Sequence, residues 1–400
     1  MKLAISIPEP IQRIMNILHD AGGKPRLVGG VVRDAIIGIE SSDIDIITIF
    51  DPVITRTVLT EHNILVKDTG IKYGTVTALL DNYHTQITTL RIDQECDGRH
   101  TNAKFTDDFE ADAQRRDFTI NAMSYCPFEE RLYDYTGGYN DLIAKRVVFI
   151  RHPTQRIQED YLRILRFFRF SDKFSTKLDE ESLQACIELR AGLGHLSKER
   201  VLMEMKKIME SPTCHDILKI MIDNKLLTEV MPVNLSAMLL ADININAPKI
   251  LDVDSCTRFS ALLYNNDPKI LRGALDEMHF SIKDARTISD LVTFRALNPA
   301  LHNTTLQHSK NIFINLWIDN IYNDSYMLIS EYWKAEYFQM IHKMLQDKPP
   351  KFPVNGHDIE AIDIKGADIK VALSALKNAW IKSDFALGKE ELLKLSNYLV

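Results

Sequence analysis

A strand that ends in two glycines and turns straight into a helix is the feature that most limits what this chain can become. Leu27-Val28-Gly29-Gly30-Val31-Val32-Arg33-Asp34 has that form, with the helix expected over residues 31–37. Paired glycines let the backbone turn sharply and let a ligand's phosphates approach main-chain amides. The helix aims its positive N-terminal end at the same place. Just behind, Ser42-Asp43-Ile44-Asp45-Ile46-Ile47 reads as a second strand. Residues two apart on a strand share a face, so Asp43 and Asp45 point together while Ile44 and Ile46 enter the core. Two adjacent carboxylates repel, and one takes up a proton unless cations neutralise them. Paired metal ions bridging a nucleotide's phosphates meet that demand.

Taken singly, neither half identifies a site. A Gly-Gly turn is common, and Asp-x-Asp on a strand is more often a solvated edge. Together they resemble the signature of the nucleotidyltransferase superfamily that includes DNA polymerase beta. With Arg115-Arg116-Asp117-Phe118-Thr119-Ile120-Asn121-Ala122-Met123 further on, the chain resembles the class II tRNA nucleotidyltransferases, the CCA-adding enzymes and bacterial poly(A) polymerases.

Four hundred residues suffice for a buried core and suggest two to four domains. Apolar content of 45% and charged content of 26% are ordinary for a soluble globular chain. No stretch has the ~20 apolar residues of a membrane span. Met1 to Pro10 lacks the basic start and apolar run of a secretory signal. Cys96, Cys126, Cys186, Cys214 and Cys256 are scattered without a close metal-type pair, so reduced thiols and a cytoplasmic location are expected. The net charge of −7 argues against indiscriminate coating of nucleic acid and leaves room for a local basic site.

Along the chain, Ile11, Ile14, Met15 and Leu18 at helical spacing predict an amphipathic helix that Gly22-Gly23 stops. Residues 58–66 read as a helix entering a strand. Tyr73–Leu80 and Tyr83–Arg91 alternate as two strands joined by an Asp81-Asn82 hairpin turn. Residues 92–114 turn polar, which reads either as a surface loop or as a lid beside the site. Phe118–Met123 predicts a core helix or strand, and Asp134–Leu142, with Gly137-Gly138, a structural turn.

From about residue 151 the pattern is helical. Glu159–Phe170 predicts one helix, with Leu, Ile and Phe as its buried stripe and with Asp160, Arg163, Arg166 and Arg169 each one turn from the next. Eight basic residues lie between Lys145 and Lys173 (Lys145, Arg146, Arg151, Arg156, Arg163, Arg166, Arg169, Lys173) against three acids (Glu159, Asp160, Asp172). A solvated face of ordinary ion pairs is the plainer reading of that run. Ser197 is a plausible N-cap for a further helix, and Asn355-Gly356-His357-Asp358 resembles a late family motif. His357-Asp358 lacks the further ligands a metal-dependent phosphohydrolase needs.

The resemblance implies an α+β fold: an N-terminal polymerase-beta-like nucleotidyltransferase head (1–150), a mixed sheet with helices, then an all-α neck (151–210) and an all-α body and tail (211–400) that bind tRNA. It implies template-independent addition of CCA to tRNA from CTP and ATP, with Asp43 and Asp45 holding two Mg²⁺ ions. Gly30 and Arg33 would line the triphosphate, Arg116 would contact the nucleotide, and Asp160 and Arg163 of the Glu159-Asp160-x-x-Arg163 motif would read the base, with Arg166 and Arg169 extending the pocket. The string Asp97-Gly98-Arg99-His100 resembles the loop of full CCA-adding members, which helps switch from adding C to adding A.

An ionised Asp160 only accepts hydrogen bonds and Arg163 only donates. Cytosine and adenine offer an amine beside an acceptor nitrogen, whereas uracil and guanine set oxygen against carboxylate and N–H against guanidinium. One departure is Gln86-Ile87-Thr88-Thr89-Leu90-Arg91, where the family often has Glu first, so a third carboxylate near the metals is missing. Two readings compete: a poly(A) polymerase of the same family, and a tRNA-binding protein with an inactive head. A pI of about 6.0 is low for the first, and the retained Asp43, Asp45, Asp160 and Arg163 oppose the second.

Overall fold

Ile11, Ile14, Met15 and Leu18 form the buried stripe of the first helix, α1 (Glu9–Asp20), which Pro8 precedes and the Gly22-Gly23 turn ends. In this computed structural model the described residues are 2–41, 43–93, 103–231, 233–237, 240, 253–297, 350–383 and 385–396. The chain divides into two compact units, Met1–Pro232 and Val233–Val400.

The first unit is built on a seven-stranded sheet of order β3-β4-β5-β2-β1-β8-β9. Its strands are β1 (Arg26–Val28), β2 (Asp45–Thr48), β3 (Leu65–Gly70), β4 (Thr75–Leu80), β5 (Tyr83–Thr89), β8 (Ser124–Cys126) and β9 (Arg131–Tyr133). The sheet is mixed: β2 runs parallel to β5, while β1 pairs antiparallel with both β2 and β8. A separate antiparallel ribbon joins β6 (Arg91–Asp93) to β7 (Ala103–Phe105). The expected hairpin forms at Asp81-Asn82, both at positive φ (46° and 67°), the geometry of a tight two-residue turn. Tyr73 falls in a 3₁₀ turn before β4 rather than in the strand.

Helix α2 (Gly30–Ile36) follows the glycine turn, and α3 (Pro52–Glu61) is capped by Asp51, which accepts from the Val53 and Ile54 amides. Asp108 caps α4 (Phe109–Gln114) in the same way. Phe118–Met123 is buried and forms a single 3₁₀ turn, Thr119–Asn121. Gly137 (φ 80°) opens α5 (Gly138–Ile143), and the Asp134 carboxylate gathers the amides of residues 136–139. That stretch is structural, as its sequence suggests.

Beyond the sheet come α6 (Pro153–Glu159), α7 (Leu162–Phe174), α8 (Glu180–Glu188), α9 (Lys198–Met209) and α10 (Cys214–Asp223). The single helix expected over Glu159–Phe170 is two. The backbone extends at Asp160 (φ −157°, ψ 105°), and α7 starts afresh at Leu162. The Tyr161 ring fills the space over Gly192, where an added Cβ would meet it at 2.0 Å. Ser197 occupies the N-cap of α9, without a side-chain cap bond. Phe118, Phe149, Phe167 and Phe170 stack into a core at the inner face of α7, with ring centroids 4.7 Å apart for Phe118–Phe149 and 5.7 Å for Phe149–Phe167. Full burial of such side chains stabilises by ~2–3 kcal/mol each.

The second unit contains α11 (Ser255–Leu263), α12 (Pro268–Glu277), α13 (Ile282–Leu297), α14 (Gly356–Glu360), α15 (Ala367–Lys382) and α16 (Lys389–Ser396). Trp380 packs between Phe352 and Phe385 in a cluster with Ile359, Leu376 and Leu392. Asn355 and Asp358 form a capping box at the start of α14, and Asp358 also pairs with Lys389 at 2.7 Å. This gives the Asn-Gly-x-Asp motif a structural role.

Candidate active site

The glycine turn and the carboxylate strand meet at one end of the sheet. Gly29 (φ 75°) makes the turn and is tied to the chain by its amide on the Met123 carbonyl at 3.3 Å. A side chain there is strained whatever the space. Asp43 lies just ahead of β2 and Asp45 is its first residue, both exposed, while Ile44 and Ile46 are buried behind them. Ser42 is outside the described residues. The two carboxylates and seven further residues expected at the site, Gly30, Arg33, Arg116, Asp160, Arg163, Arg166 and Arg169, line one cleft of about 610 Å³.

Asp45 opens to solvent at the cleft, yet the protein wall around it desolvates its carboxyl and raises its pKa. The charge of Asp43 adds to the rise, and Arg116 opposes it. Such a pair gains from a cation. Mg²⁺ is commonly held by one or two carboxylates completed by substrate phosphates, and Asp43 and Asp45 are hard oxygen donors of that kind. Among the described residues no group of three or more His, Cys, Asp or Glu forms a fuller metal cage. Gln86 is next to the pair. The register Ile46↔Ile87 places Gln86 beside Asp45 on the neighbouring strand, with both side chains exposed.

Much of the positive wall is held in ion pairs. Arg33 is 5% exposed and donates to Asp34 Oδ1 (2.8 Å) and Asn121 Oδ1 (2.7 Å), with its guanidinium 4.1 Å from the Phe174 ring centroid. Burial lowers its pKa, and Asp34 partly offsets that. Asp112, fully buried, divides its oxygens between Arg115 (2.9 Å) and Arg116 (2.9 Å). Burial opposes its charge, but the two guanidiniums outweigh burial and hold the carboxyl below its ordinary range. Asp117 stands in the same balance, with Arg166 at 2.6 Å. Arg169 pairs with Glu204 of α9.

Asp160 and Arg163 are arranged differently from a helical ladder. Asp160 sits in the break between α6 and α7, its Oδ2 taking Arg200 Nη2 of α9 at 2.8 Å and its Oδ1 the Leu162 amide at 3.2 Å. Arg163, on the first turn of α7, donates to Glu159 at 2.6 Å and to the Arg156 carbonyl at 2.8 Å. Both side chains still line the cleft. Sequence reasoning did not single out Asp112, Glu204 or Arg200, nor give Arg156 a role. Asp117 and Asn121 stood within the quoted Arg-Arg-Asp run, but their partners lie elsewhere in the chain. The expected loop motif Asp97–His100 lies outside the described residues.

The family described as "Poly A polymerase head domain" matches residues 25–148, and "Probable RNA and SrmB- binding site of polymerase A" matches residues 176–238. The human mitochondrial CCA tRNA nucleotidyltransferase 1 is 34% identical over 377 residues, covering 92% of this chain and 85% of that protein. A CCA-adding enzyme of Staphylococcus epidermidis is 26% identical and covers 98% and 94%. A crystal structure of the Bacillus stearothermophilus CCA-adding enzyme in complex with CTP superposes with a TM-score of 0.75 at 22% identity, covering 98% of each chain. A Thermotoga maritima CCA-adding enzyme complexed with tRNA gives 0.68 at 18%, covering 99% of this chain and 96% of that one. Sheet, glycine turn and paired carboxylates define a nucleotidyltransferase. The chain belongs to the CCA tRNA nucleotidyltransferase family, the CCA-adding enzymes.

Proposed function

We infer that this chain adds CCA to the 3′ end of tRNA from CTP and ATP without a nucleic-acid template. The observation that carries the reading is the single cleft in which the Asp43–Asp45 pair faces Asp160 and Arg163. Relatives of the chain are CCA tRNA nucleotidyltransferases, and solved neighbours hold CTP, ATP or tRNA.

In the reaction the tRNA 3′-hydroxyl oxygen bonds to the α-phosphorus, the bond to the β-phosphate's bridging oxygen breaks, and pyrophosphate leaves. The family's chemistry uses divalent metal ions, and we propose two Mg²⁺ at Asp43 and Asp45, which would lower the hydroxyl's pKa and neutralise the leaving group. Arg33 and Arg116, on their Asp34 and Asp112 supports, face the triphosphate. Asp160 keeps lone pairs free beyond its bonds to Arg200 and Leu162, so it can accept the amine of C or A while Arg163 donates to the ring nitrogen. Arg166 and Arg169 extend this side of the pocket.

The proposed division is a catalytic head over 1–150, a neck with the base reader over 151–210, and a tRNA-binding body and tail over 211–400. A cytoplasmic location is proposed from the five scattered cysteines, which form no close pair in the sequence. The human relative carries "mitochondrial" in its name. Among the described residues no helix is long and apolar enough to cross a membrane.

The test is incubation with tRNA lacking its 3′ end and each nucleotide alone and together, followed by sequencing of the products. CCA ends are expected. Runs of A would identify a poly(A) polymerase, and tRNA binding without addition an inactive head.

A further inference from the structure

Arg156 is a buried arginine that the chemistry above does not use. It is 5% exposed on the last turn of α6 and is not among the residues that line the cleft. One nitrogen, Nη2, donates to the carbonyls of both Arg115 and Arg116, the latter at 2.6 Å. The other, Nη1, meets the Glu159 carboxylate. Glu159 in turn takes Arg163 Nη1 at 2.6 Å, and Arg163 also donates to the Arg156 carbonyl at 2.8 Å.

A guanidinium buried this deeply costs desolvation, which geometry and charge-assisted bonds must offset. Its partners are distributed in an informative way. Backbone carbonyls of Arg115 and Arg116 are fixed by Arg156, while the guanidiniums of the same two residues are fixed by Asp112. The dipeptide is therefore clamped from both sides. Through Glu159, the same Arg156 sets the position of Arg163. Arg116 lies just past the C-cap of α4 and Arg163 on α7, and both line the cleft.

We propose that Arg156 is a positioning residue that couples the phosphate-side arginine of the cleft, Arg116, to the base-side arginine, Arg163, so that nucleotide affinity and base choice depend on one buried guanidinium. This inference rests on the nucleotidyl-transfer reading of the cleft. Only a planar fork reaches two carbonyls and a carboxylate together. A lysine ammonium keeps the charge as a point and loses the fork.

Two variants separate positioning from bulk stability. Arg156→Lys removes the fork, and Glu159→Gln leaves the carbonyl contacts and weakens the carboxylate link that joins Arg156 to Arg163. Each is assayed for KM and kcat with CTP, ATP, UTP and GTP on tRNA lacking its 3′ end, with a melting curve on the same preparation. The wild type must add C and A in the same assay; if it does not, the functional reading fails rather than this one. Arg156→Lys is expected to raise KM for CTP and ATP roughly tenfold, with a smaller change in kcat, and to raise U and G incorporation relative to C and A. Glu159→Gln is expected to relax base discrimination at a melting temperature close to wild type. A folded Arg156→Lys with wild-type KM and discrimination, or one that only melts lower, overturns the proposal. If Arg156→Lys does not fold, Glu159→Gln decides: unchanged discrimination overturns it.

Discussion

Arg166 holds Asp117 by two donors on a single oxygen, Nε at 2.7 Å and Nη2 at 2.6 Å from Oδ2. The other oxygen accepts the Phe118 amide at 2.8 Å. This contact spans 49 residues of sequence and fastens α7 to the segment that carries the arginine pair. Burial alone would raise the Asp117 pKa, but Arg166, the Phe118 amide and Arg163 together outweigh burial and hold the carboxyl below its ordinary range. A carboxyl lowered on folding contributes stability above the unfolded value of about 3.9 and loses it as pH falls through the folded value. Asp117→Asn is thus expected to melt lower than wild type at pH 7, by roughly 3 kcal/mol of stability. The difference should shrink as the pH drops below about 4. Melting curves of both proteins across that range check it; a gap independent of pH would remove the ion pair from the account.

Gln86 stands beside Asp45, one of the two proposed metal ligands. If the position contributes to metal binding, Gln86→Glu should hold or raise turnover at limiting Mg²⁺ and change little at saturation. Turnover titrated against Mg²⁺ for both proteins measures this. A fall in rate at low Mg²⁺ would make Gln86 a strand residue without a part in the chemistry.

Gly138 tests the structural side of the head. A Cβ there would lie 2.1 Å from the Thr119 carbonyl oxygen, a contact that backbone must move to relieve. Gly138→Ala is expected to cost about 2 kcal/mol or more, seen as a lower melting temperature. KM for CTP in the fraction that remains folded should stay near wild type. A melting temperature equal to wild type would show that the turn gives way cheaply.

The local features of the fold were legible because their causes are local. The α1 stripe, the Asp81-Asn82 turn and the glycine turn each follow from a few adjacent residues. The break at Asp160 was not legible, since the Leu, Ile and Phe stripe runs on across it. Its causes are distant: Tyr161 packs over Gly192, and Arg200 draws the Asp160 carboxylate toward α9. The same holds for the basic run. Ordinary ion pairs were the plainer reading of eight cations against three local acids, but the partners of Arg166 and Arg169, Asp117 and Glu204, lie far away in sequence. Which residues gather at the cleft was readable from motifs; which partners orient them was not, because pairing is a property of the folded chain.

In the proposed function one cleft performs the transfer with Asp43 and Asp45 and chooses the base with Asp160 and Arg163. The most direct measurement compares incorporation of the four nucleotides, one at a time, by wild type, Asp45→Ala and Asp160→Ala, with melting curves on each. A bidentate base contact is worth roughly 1–3 kcal/mol, or about ten- to hundredfold in preference. Asp45→Ala is predicted to lose addition of every nucleotide while staying folded. Asp160→Ala is predicted to add less C and A and more U and G, at a rate that still requires Asp45. More than a few per cent of wild-type activity in Asp45→Ala, or wild-type discrimination in a well-folded Asp160→Ala, would contradict it.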